Sequence, residues 1–498
     1  MGPYSITVYT ALSCLLGYLL CRLTYNLFLH PLARLPGPWT AALGDLWFAS
    51  HWLSGTWHRD IEALHRKYGP VVRVAPNELS FCGVQSIKDI YGTRQYTAPT
   101  FFKKCRTFYL QSDVKYPSIG TEVDPVKHHE LRKMISPGFS PPTLKSQGYI
   151  IAGYVNTLVQ QIQERSGQPL EMNRWFLWFT FDVITDLVFG ESLKNVERGE
   201  PDQWLTMLQG SGPVLAVAYI LRRQPKAVIA ILRRLLANKK SAEMRAYHVR
   251  MSQEMAKRRI AKGAMDREDI FNHLVGEGSK PLDPEVLALQ GPTLIGAGSE
   301  TTSLTLMMTT YHLLRNPDKL AVLQDEVRSA FSNRGQIDSE STKSLRYLNA
   351  VIEEALRLTS PASFGLPRIS PGAVVDGIWV PQGTRVFVAE NVTARDPRYF
   401  LHPEEFHPER WLPRDHPLYD SRFENDVKEA SKPFLVGPRA CLGMHLAYLE
   451  MRLCISNLVW QFNWTLGEEG AEFENNTKLL GLWRPATLPV TYEPVKRE

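Results

Sequence analysis

A single cysteine in a tight loop near the end of the chain has the clearest potential for chemistry. The loop reads Phe434-Leu-Val-Gly437-Pro-Arg439-Ala-Cys441-Leu-Gly443 and precedes a helix-like run. A Cys441 thiolate would lie near the N-terminus of that helix, where the helix dipole favours negative charge. Gly437 would let the backbone approach a flat ligand, and Arg439 would offer a forked donor to a carboxylate. This spacing indicates a thiolate ligand to the metal of a large, flat cofactor.

A run of small and polar residues interrupts an apolar helical stretch upstream. It reads Leu294-Ile-Gly-Ala-Gly-Ser-Glu300-Thr301-Thr302. A thiolate bound to haem iron favours cleavage of the O–O bond, and a carboxylate and a hydroxyl beside small residues could form a notch for oxygen and water. The structural alternative is a kinked core helix whose threonine hydroxyls bond back to backbone carbonyls. The segment alone leaves both interpretations open.

A third group combines one acid with two arginines. Glu354 and Arg357 are spaced i and i+3, so they share one face of a predicted helix. Such a pair is more often an ordinary surface pair of little energetic value. Arg410, in Phe406-His-Pro-Glu-Arg410-Trp, could complete a buried network.

Composition limits the class of protein. The 498 residues are 44% hydrophobic and 22% charged, which indicates a globular enzyme with a large core. The six cysteines are scattered without zinc or disulfide spacing, which suits a reducing compartment. A net charge of +6 fits an anionic membrane surface or an acidic partner better than a nucleic acid.

The N-terminus predicts a membrane anchor over residues 1–29. Residues 1–21 contain no Lys, Arg, Asp or Glu, and the stretch Ile6 to Leu20 is apolar. Arg22 and Arg34 follow it, so the positive-inside rule puts the rest of the chain in the cytosol. The alternative, a cleaved signal peptide, would have a basic n-region and a small-residue cleavage site. Residues 30–40 are proline-rich and predict a stiff hinge before the body at 41–498.

The body has the pattern of a mainly helical α+β enzyme. Helices are predicted at 144–166, 172–190, 239–262, 284–315, 317–332 and 344–358 and after Cys441. Strands are predicted at 71–75, 79–81, 373–375, 378–380 and 384–388. The apolar stretch 213–236, with basic clusters at Arg222, Arg223, Arg233 and Arg234, is either a buried helix pair or a shallow membrane contact.

Taken together and in order, these segments resemble the signatures of the cytochrome P450 family. The resemblance implies the P450 fold with small β-sheets, one N-terminal transmembrane helix and haem b bound by a cysteine thiolate. It implies that Cys441 is the iron ligand, shielded by Phe434 in a loop that includes Gly437. It implies distal roles for Thr301 and Glu300, a structural triad, and propionate-binding residues. The triad would be Glu354, Arg357 and Arg410; the propionate-binding residues would be His128, Arg132, Arg368 and Arg439.

Two positions depart from the family pattern. Leu435 stands where the family often has a small polar residue, and His128 stands where tryptophan is common. The first could alter packing near the sulfur. The second can still donate to a propionate, although its charge depends on pH.

The resemblance also implies an activity. The chain would use O2 and NADPH-derived electrons to hydroxylate, epoxidise or otherwise oxidise a lipophilic small molecule, and its motifs are similar to those of the filamentous-fungal branch that makes secondary metabolites. The expected partner is an NADPH–cytochrome reductase, with cytochrome b5 as an optional second donor, at the endoplasmic reticulum membrane. Two alternatives remain, a haem-thiolate isomerase or dehydratase and a non-catalytic haem sensor. Candidate substrate contacts are 108–116, 214–219, Ile295, Ala297, 362–364 and 480–482.

Overall fold

The structure, a computed structural model, describes residues 3–92, 95, 97–109, 117–225, 228–229, 239–263, 267, 269–270 and 284–497. Helices dominate, as the sequence predicts. In chain order they are α1 (Pro3–Thr24), α2 (Trp39–Leu43), α3 (Asp45–Ser54), α4 (Trp57–Tyr68), α5 (Val84–Tyr91), α6 (Arg106–Tyr109), α7 (Pro125–Ile135), α8 (Pro141–Glu164), α9 (Met172–Phe189), α10 (Asn195–Arg198), α11 (Gln203–Gln209), α12 (Ser211–Arg223), α13 (Lys239–Ala261), α14 (Pro284–Arg315), α15 (Pro317–Ala330), α16 (Arg346–Leu358), α17 (Glu390–Thr393), α18 (Met444–Gln461) and α19 (Phe473–Asn476).

Small sheets complete the fold. A five-stranded sheet has the order β1-β2-β8-β5-β3, and β2 and β8 are its parallel pair. A three-stranded sheet and two hairpins account for the other strands. Their bounds are β1 (Val71–Ala75), β2 (Glu78–Phe81), β3 (Lys103–Lys104), β4 (Pro169–Glu171), β5 (Arg368–Ile369), β6 (Ala373–Val375), β7 (Ile378–Val380), β8 (Arg385–Val388), β9 (Phe462–Leu466), β10 (Lys478–Leu480), β11 (Leu482–Arg484) and β12 (Pro489–Pro494). The predicted strands and long helices are therefore confirmed to within a few residues at their ends.

Small residues let α14 approach α9 closely. A Cβ on Gly298 would lie 2.7 Å from a side-chain carbon of Ile184, and the Thr180 hydroxyl on α9 donates to the Ser299 carbonyl at 2.9 Å. Nearly all of α9 is buried, which matches its apolar sequence. Tertiary packing thus compensates for the weak helix propensity of this part of α14.

The stretch Leu12–Leu29, which comprises the second half of α1 and the π-helical turn Tyr25–Leu29, is long and apolar enough to cross a membrane. Among the described residues, α11 and α12, which are bent by 45° at their junction, also reach this length and hydropathy if they are counted as one span. After α1 the chain packs on the five-stranded sheet. Arg73 on β1 donates to the carbonyl of Asn26 at 2.9 Å, and its amide donates to the carbonyl of Pro36 at 2.7 Å. Leu32 is buried in an apolar cluster that includes residues of β1, β2 and β8. The proline-rich segment therefore packs against the catalytic domain, where it contacts β1.

The end of α12 is held inside the protein. Arg223 bonds to Glu78 at 2.7 Å and to Asp45 at 2.6 Å, and its guanidinium carbon lies 3.8 Å from the Phe48 ring centroid. Its side chain is fully buried. The Arg223 side chain therefore lies inside the protein, as the buried-helix interpretation predicts, and a shallow membrane contact of the segment 213–236 stays a prediction. Arg233 and Arg234 lie outside the described residues.

The three residues predicted to form a triad meet in the core. Arg357 binds both carboxylate oxygens of Glu354 at 2.8 Å, and Arg410 donates to one of them at 3.0 Å. The His407 amide and the Trp411 indole also donate to this carboxylate. Burial alone would raise the pKa of Glu354, but the two arginines and these hydrogen bonds lower it to about 2. The pair is thus a buried network and not a surface ion pair.

Replacing this carboxylate should destabilise the fold. We expect Glu354→Gln to lower the free energy of unfolding by about 3–5 kcal/mol at pH 7, because two buried guanidinium groups lose their counter-charge. The stabilisation from the lowered pKa is complete above pH 4.5 and is lost as the pH falls towards 2, so the variant should lack this part of the acid dependence. Urea unfolding at a series of pH values measures both effects.

Glu353→Gln is the matched control. Glu353 is the neighbouring residue on α16 and accepts one hydrogen bond, from the Tyr448 hydroxyl at 2.6 Å, which glutamine can also accept. We expect its cost to stay within about 1 kcal/mol. Equal costs for the two variants would contradict a special role for the Glu354 network.

Candidate active site

The cysteine loop folds back on itself to present one thiol. The Cys441 amide donates to the Phe434 carbonyl at 2.8 Å, and the Ala440 amide donates to the Gly437 carbonyl at 3.0 Å. Gly443 precedes the first residue of α18. The Cys441 side chain is exposed in a recess of the protein, whereas Cys82, Cys105 and Cys454 are buried. The loop therefore turns its thiol outward at a helix N-terminus, as its spacing predicts.

Two opposing influences act on this thiol. Burial of its surroundings raises the pKa of Cys441, while the Gly443 amide and the Arg132 guanidinium favour the thiolate. The Arg132 guanidinium lies close because it donates to the Ala440 carbonyl at 2.6 Å. Coordination to a metal cation would add the remaining driving force for deprotonation, since a metal-bound thiol loses its proton.

Backbone conformation explains both unusual residues of the loop. Gly437 has φ +75°, and a Cβ there would clash with the Tyr91 carbonyl oxygen, so packing against α5 excludes a side chain independently of any ligand. Leu435 has φ +61°, a left-handed conformation that is uncommon for a residue with a side chain. Its side chain packs against the cluster that contains Ile87 and Val388. This apolar contact compensates for the backbone strain at the position where the loop departs from the family pattern.

The predicted propionate-binding residues converge around His128. Burial, and then the nearby Arg439, Lys104, Arg132 and Arg368, lower the pKa of His128 to about 3. These groups come from α7, β3, β5 and the cysteine loop. Arg439 donates to the Glu122 carbonyl at 2.6 Å, and Arg368 donates to the Tyr109 hydroxyl at 2.9 Å.

Lys104 is a member of this cluster that the sequence does not reveal. It is only 8% exposed, its ammonium donates to the Gly120 carbonyl at 2.7 Å, and its pKa is lowered well below the ordinary value by burial and by Arg439 and Arg368. β3 is two residues long and pairs with β5, which aligns Lys104 with Arg368. The doublet Lys103-Lys104 between aromatic and apolar residues is the only signal that could have indicated it.

The donor set of this recess fits haem b. Four basic side chains and a histidine lie together. Glu122 is the acid whose negative charge acts on Lys104. Excess positive charge at low exposure requires anions. Haem b has two carboxylate-bearing side chains, and a thiol faces the same recess. The residues present can therefore hold the propionates and the iron of this cofactor.

The polar segment of α14 lies inside the protein but faces open space. Ala297 and Thr301 are exposed although their neighbours on α14 are buried or half-buried, and no heavy atom lies within 4 Å of a Cβ placed on Gly296. The Thr301 hydroxyl donates to the Ala297 carbonyl at 2.7 Å. Both predicted alternatives therefore apply, because the threonine bonds back to its helix and also lines a cavity.

Glu300 is poised to exchange a proton. Burial raises its pKa to about 7, and the positive charge of Arg484 opposes this shift. A carboxyl group with this pKa is present in both protonation states at neutral pH. It precedes Thr301, which faces the cavity.

Several candidate substrate contacts also come together. The Phe108 ring lies 4.9 Å from Tyr219 and 5.9 Å from Phe364, measured between ring centroids. Ser363, which directly precedes Phe364, is buried. Residues 110–116 lie outside the described residues. The triad of Glu354, Arg357 and Arg410 does not join this site and stays in the core.

Comparisons with known proteins agree with this architecture. The family model for cytochrome P450 matches residues 35–490. The cytochrome P450 monooxygenase btcC of Colletotrichum orbiculare is 48% identical over 481 residues, which cover 96% of this chain and 92% of the relative. The btcC of Neocamarosporium betae is 41% identical (95% and 94% covered), and the monooxygenase BOA3 of Botryotinia fuckeliana is 39% identical (96% and 94% covered). Because these matches extend over nearly the whole chain, the protein belongs to the cytochrome P450 family of haem-thiolate monooxygenases.

Proposed function

We propose that this chain oxygenates a lipophilic intermediate of fungal secondary metabolism, with electrons from a membrane-bound NADPH–cytochrome reductase. The observation that carries the proposal is the pairing of Thr301, exposed to the cavity, with Glu300, whose pKa is about 7. A haem carrier has no use for such a proton-exchanging pair. The fungal monooxygenases that match nearly the whole chain support the metabolic context.

Each part of the recess has a role in this proposal. Bound haem would supply oxygen activation, which a thiolate ligand promotes. Cys441 would ligate the iron, and Phe434 would shield the sulfur. His128, Arg132, Arg368 and Arg439 would hold the propionates, and we add Lys104 to this set because it lies in the same cation cluster. Gly437 would keep the loop close to α5.

The distal residues would manage protons. The Thr301 hydroxyl already bonds to the Ala297 carbonyl, so its oxygen is held toward the cavity with a lone pair free to accept a proton donor. Glu300 can take up a proton from water and release it again near neutral pH. The surrounding apolar side chains would limit water to what this relay needs.

Replacing the cysteine should abolish thiolate ligation. We expect Cys441→Ser to remove the red-shifted absorption band that thiolate-ligated haem gives when it is reduced and bound to carbon monoxide. Cys454→Ala is the control, because Cys454 is buried on α18, the helix that follows the cysteine loop. A red-shifted band that survives Cys441→Ser would contradict the assignment of the ligand.

Removing the distal hydroxyl should uncouple oxygen consumption from product formation. We expect Thr301→Ala to lower product per NADPH by roughly tenfold and to raise peroxide, because proton delivery is impaired. Thr309→Ala is a matched control, since the Thr309 hydroxyl makes the same back-bond on α14 at 2.7 Å but is buried. Unchanged coupling in Thr301→Ala, or equal uncoupling in both variants, would refute the proton role.

We propose that the reductase docks on the thiolate side. Lys127 and Lys133 are exposed on α7, which the Arg132 bond to Ala440 holds against the cysteine loop, and Lys432 lies just before that loop. An acidic partner would therefore approach within a short distance of the bound iron. Cytochrome b5 would use the same surface as an optional second donor.

Reversing these charges should slow electron delivery. We expect Lys127→Glu, Lys133→Glu and Lys432→Glu together to lower the rate of haem reduction by roughly 10-fold or more at low salt and by less at high salt, because exposed charges are screened. Lys257→Glu, on the exposed side of α13, is the control for net charge. Reduction rates that do not depend on ionic strength in the unmodified enzyme would count against this docking surface.

The isomerase alternative makes a different demand. An isomerase or dehydratase rearranges its substrate without NADPH, reductase or net oxygen consumption, so stoichiometry separates it from a monooxygenase.

We also propose residues 1–29 as a single-pass anchor in the endoplasmic reticulum membrane, residues 30–40 as the connection that packs on β1, and residues 41–498 as the cytosolic catalytic domain. The apolar span at Leu12–Leu29 supports the anchor.

A further inference from the structure

The β10–β11 hairpin contributes one charged side chain to the distal half of the protein. The hairpin turns at Gly481, which has φ +71°. Trp483 is fixed on one face of β11, where its indole donates to the Ser360 carbonyl at 3.2 Å and its ring centroid lies 4.7 Å from that of His58. Successive strand residues point to opposite faces. Arg484 therefore points away from His58.

Arg484 faces α12 and the distal helix. A Cβ on Gly212, in the first turn of α12, would lie 3.3 Å from the Arg484 Nε and 3.4 Å from an Nη atom. The absent side chain at Gly212 leaves the guanidinium its space. The same arginine acts electrostatically on Glu300, which directly precedes Thr301. The guanidinium thus lies near both α12 and α14, the helix that carries Glu300 and Thr301.

The guanidinium has donors to spare. Arg484 Nη2 is buried without a hydrogen-bond partner among the described residues. Glu300 attracts it but is too far away for an ion pair, and within the described ranges no hydrogen bond to the Glu300 carboxyl contributes to its pKa. An unsatisfied buried donor on a charged group is costly. By contrast, the buried residues Arg223, Arg357 and Arg410 each form an ion pair with a carboxylate.

We propose that Arg484 binds a carboxylate or ketone oxygen of the substrate, and so orients an otherwise apolar molecule over the distal side. Resting on the proposed function, this assignment names a specificity-determining residue of the same site. Arginine donates to two oxygens in a plane, which restrains the rotation of a carboxylate. The aromatic residues Phe108, Tyr219 and Phe364 would contact the apolar part of the same molecule.

Two roles of Arg484 can be separated by the property that its replacement changes. If Arg484 serves only as the charge partner of Glu300, its loss changes proton delivery and coupling but not the preference among ligands. If it binds the ligand, its loss changes that preference before any electron arrives. Substrate binding shifts the haem absorption spectrum in the oxidised protein, so the ligand preference is measured without a reductase, oxygen or turnover.

The test is a spectral titration of the full-length haem-loaded protein in lipid nanodiscs. The probes are three matched series of equal chain length: fatty acids, methyl ketones and hydrocarbons. We expect the unmodified protein to bind an acid or a ketone more tightly than the hydrocarbon, and Arg484→Met to weaken that binding by roughly 10- to 100-fold, as loss of a charge-assisted hydrogen bond implies. Arg484→Lys should retain part of the preference for acids, and Arg484→Gln part of the preference for ketones.

Lys478→Met is the matched control, because Lys478 pairs with Arg484 across the hairpin but is exposed to solvent. It should leave all three affinities unchanged. Equal affinities for the three series, absence of a spectral shift with all of them, or a preference that persists in Arg484→Met would overturn the proposal. An intact carbon monoxide spectrum in each variant shows that the haem pocket has folded. Failure of the NADPH-dependent reaction alone would refute the proposed function and leave these affinities as they are.

Discussion

The constraint on which the site depends is the concentration of positive charge beside His128. Lys104, Arg132, Arg368 and Arg439 are brought together there from four segments of the chain. The fold tolerates this because backbone carbonyls accept hydrogen bonds from Lys104, Arg132 and Arg439, but carbonyl dipoles offset only part of the repulsion between like charges. A dianionic ligand would offset half of this positive charge. The haem propionates would therefore stabilise the contact between α7, the β3–β5 pair and the cysteine loop, so that cofactor binding and tertiary structure reinforce each other.

The two sides of the recess differ in how much charge they carry. The side of the thiol is dense in arginine and is held by hydrogen bonds to backbone groups, which suits a cofactor that must not move. The distal side has few charged groups among the described residues, and two of them, Glu300 and Arg484, attract each other without forming an ion pair. A buried donor without a partner loses no hydrogen bond when a ligand binds it, and it gains the one that it lacks. The oxygen-side groups thus remain available to protons and ligands, while the electrostatics of the thiol are set by fixed neighbours.

How much the sequence could predict depends on whether the signal is local. The long helices, most strands and the Cys441 loop have periodicity or spacing that is visible within a few tens of residues, and the structure agrees with them. Lys104 belongs to a two-residue strand without periodicity, and its role follows from pairing with Arg368 across a long interval. For Arg223 the sequence leaves a buried helix pair and a membrane contact both open, and the buried position follows from ion pairs with Asp45 and Glu78, both distant in sequence. For Gly437 the sequence predicts close approach to a flat ligand, whereas the nearer constraint in the structure is the Tyr91 carbonyl. In each case the deciding partner is remote along the chain.

The polar stretch of α14 illustrates why such a segment is hard to interpret from sequence alone. Its glycines face different neighbours: Gly298 is required by contact with Ile184 on α9, while a side chain at Gly296 would meet no atom within 4 Å. Ser299 is buried and serves the helix pair through Thr180, whereas Thr301 lines the cavity. A sequence pattern of adjacent small residues therefore combines two requirements, close packing on one face of the helix and open space on the other. The packing face provides the tertiary energy that keeps this weak helix intact, and this in turn lets the open face carry the hydroxyl and the carboxyl.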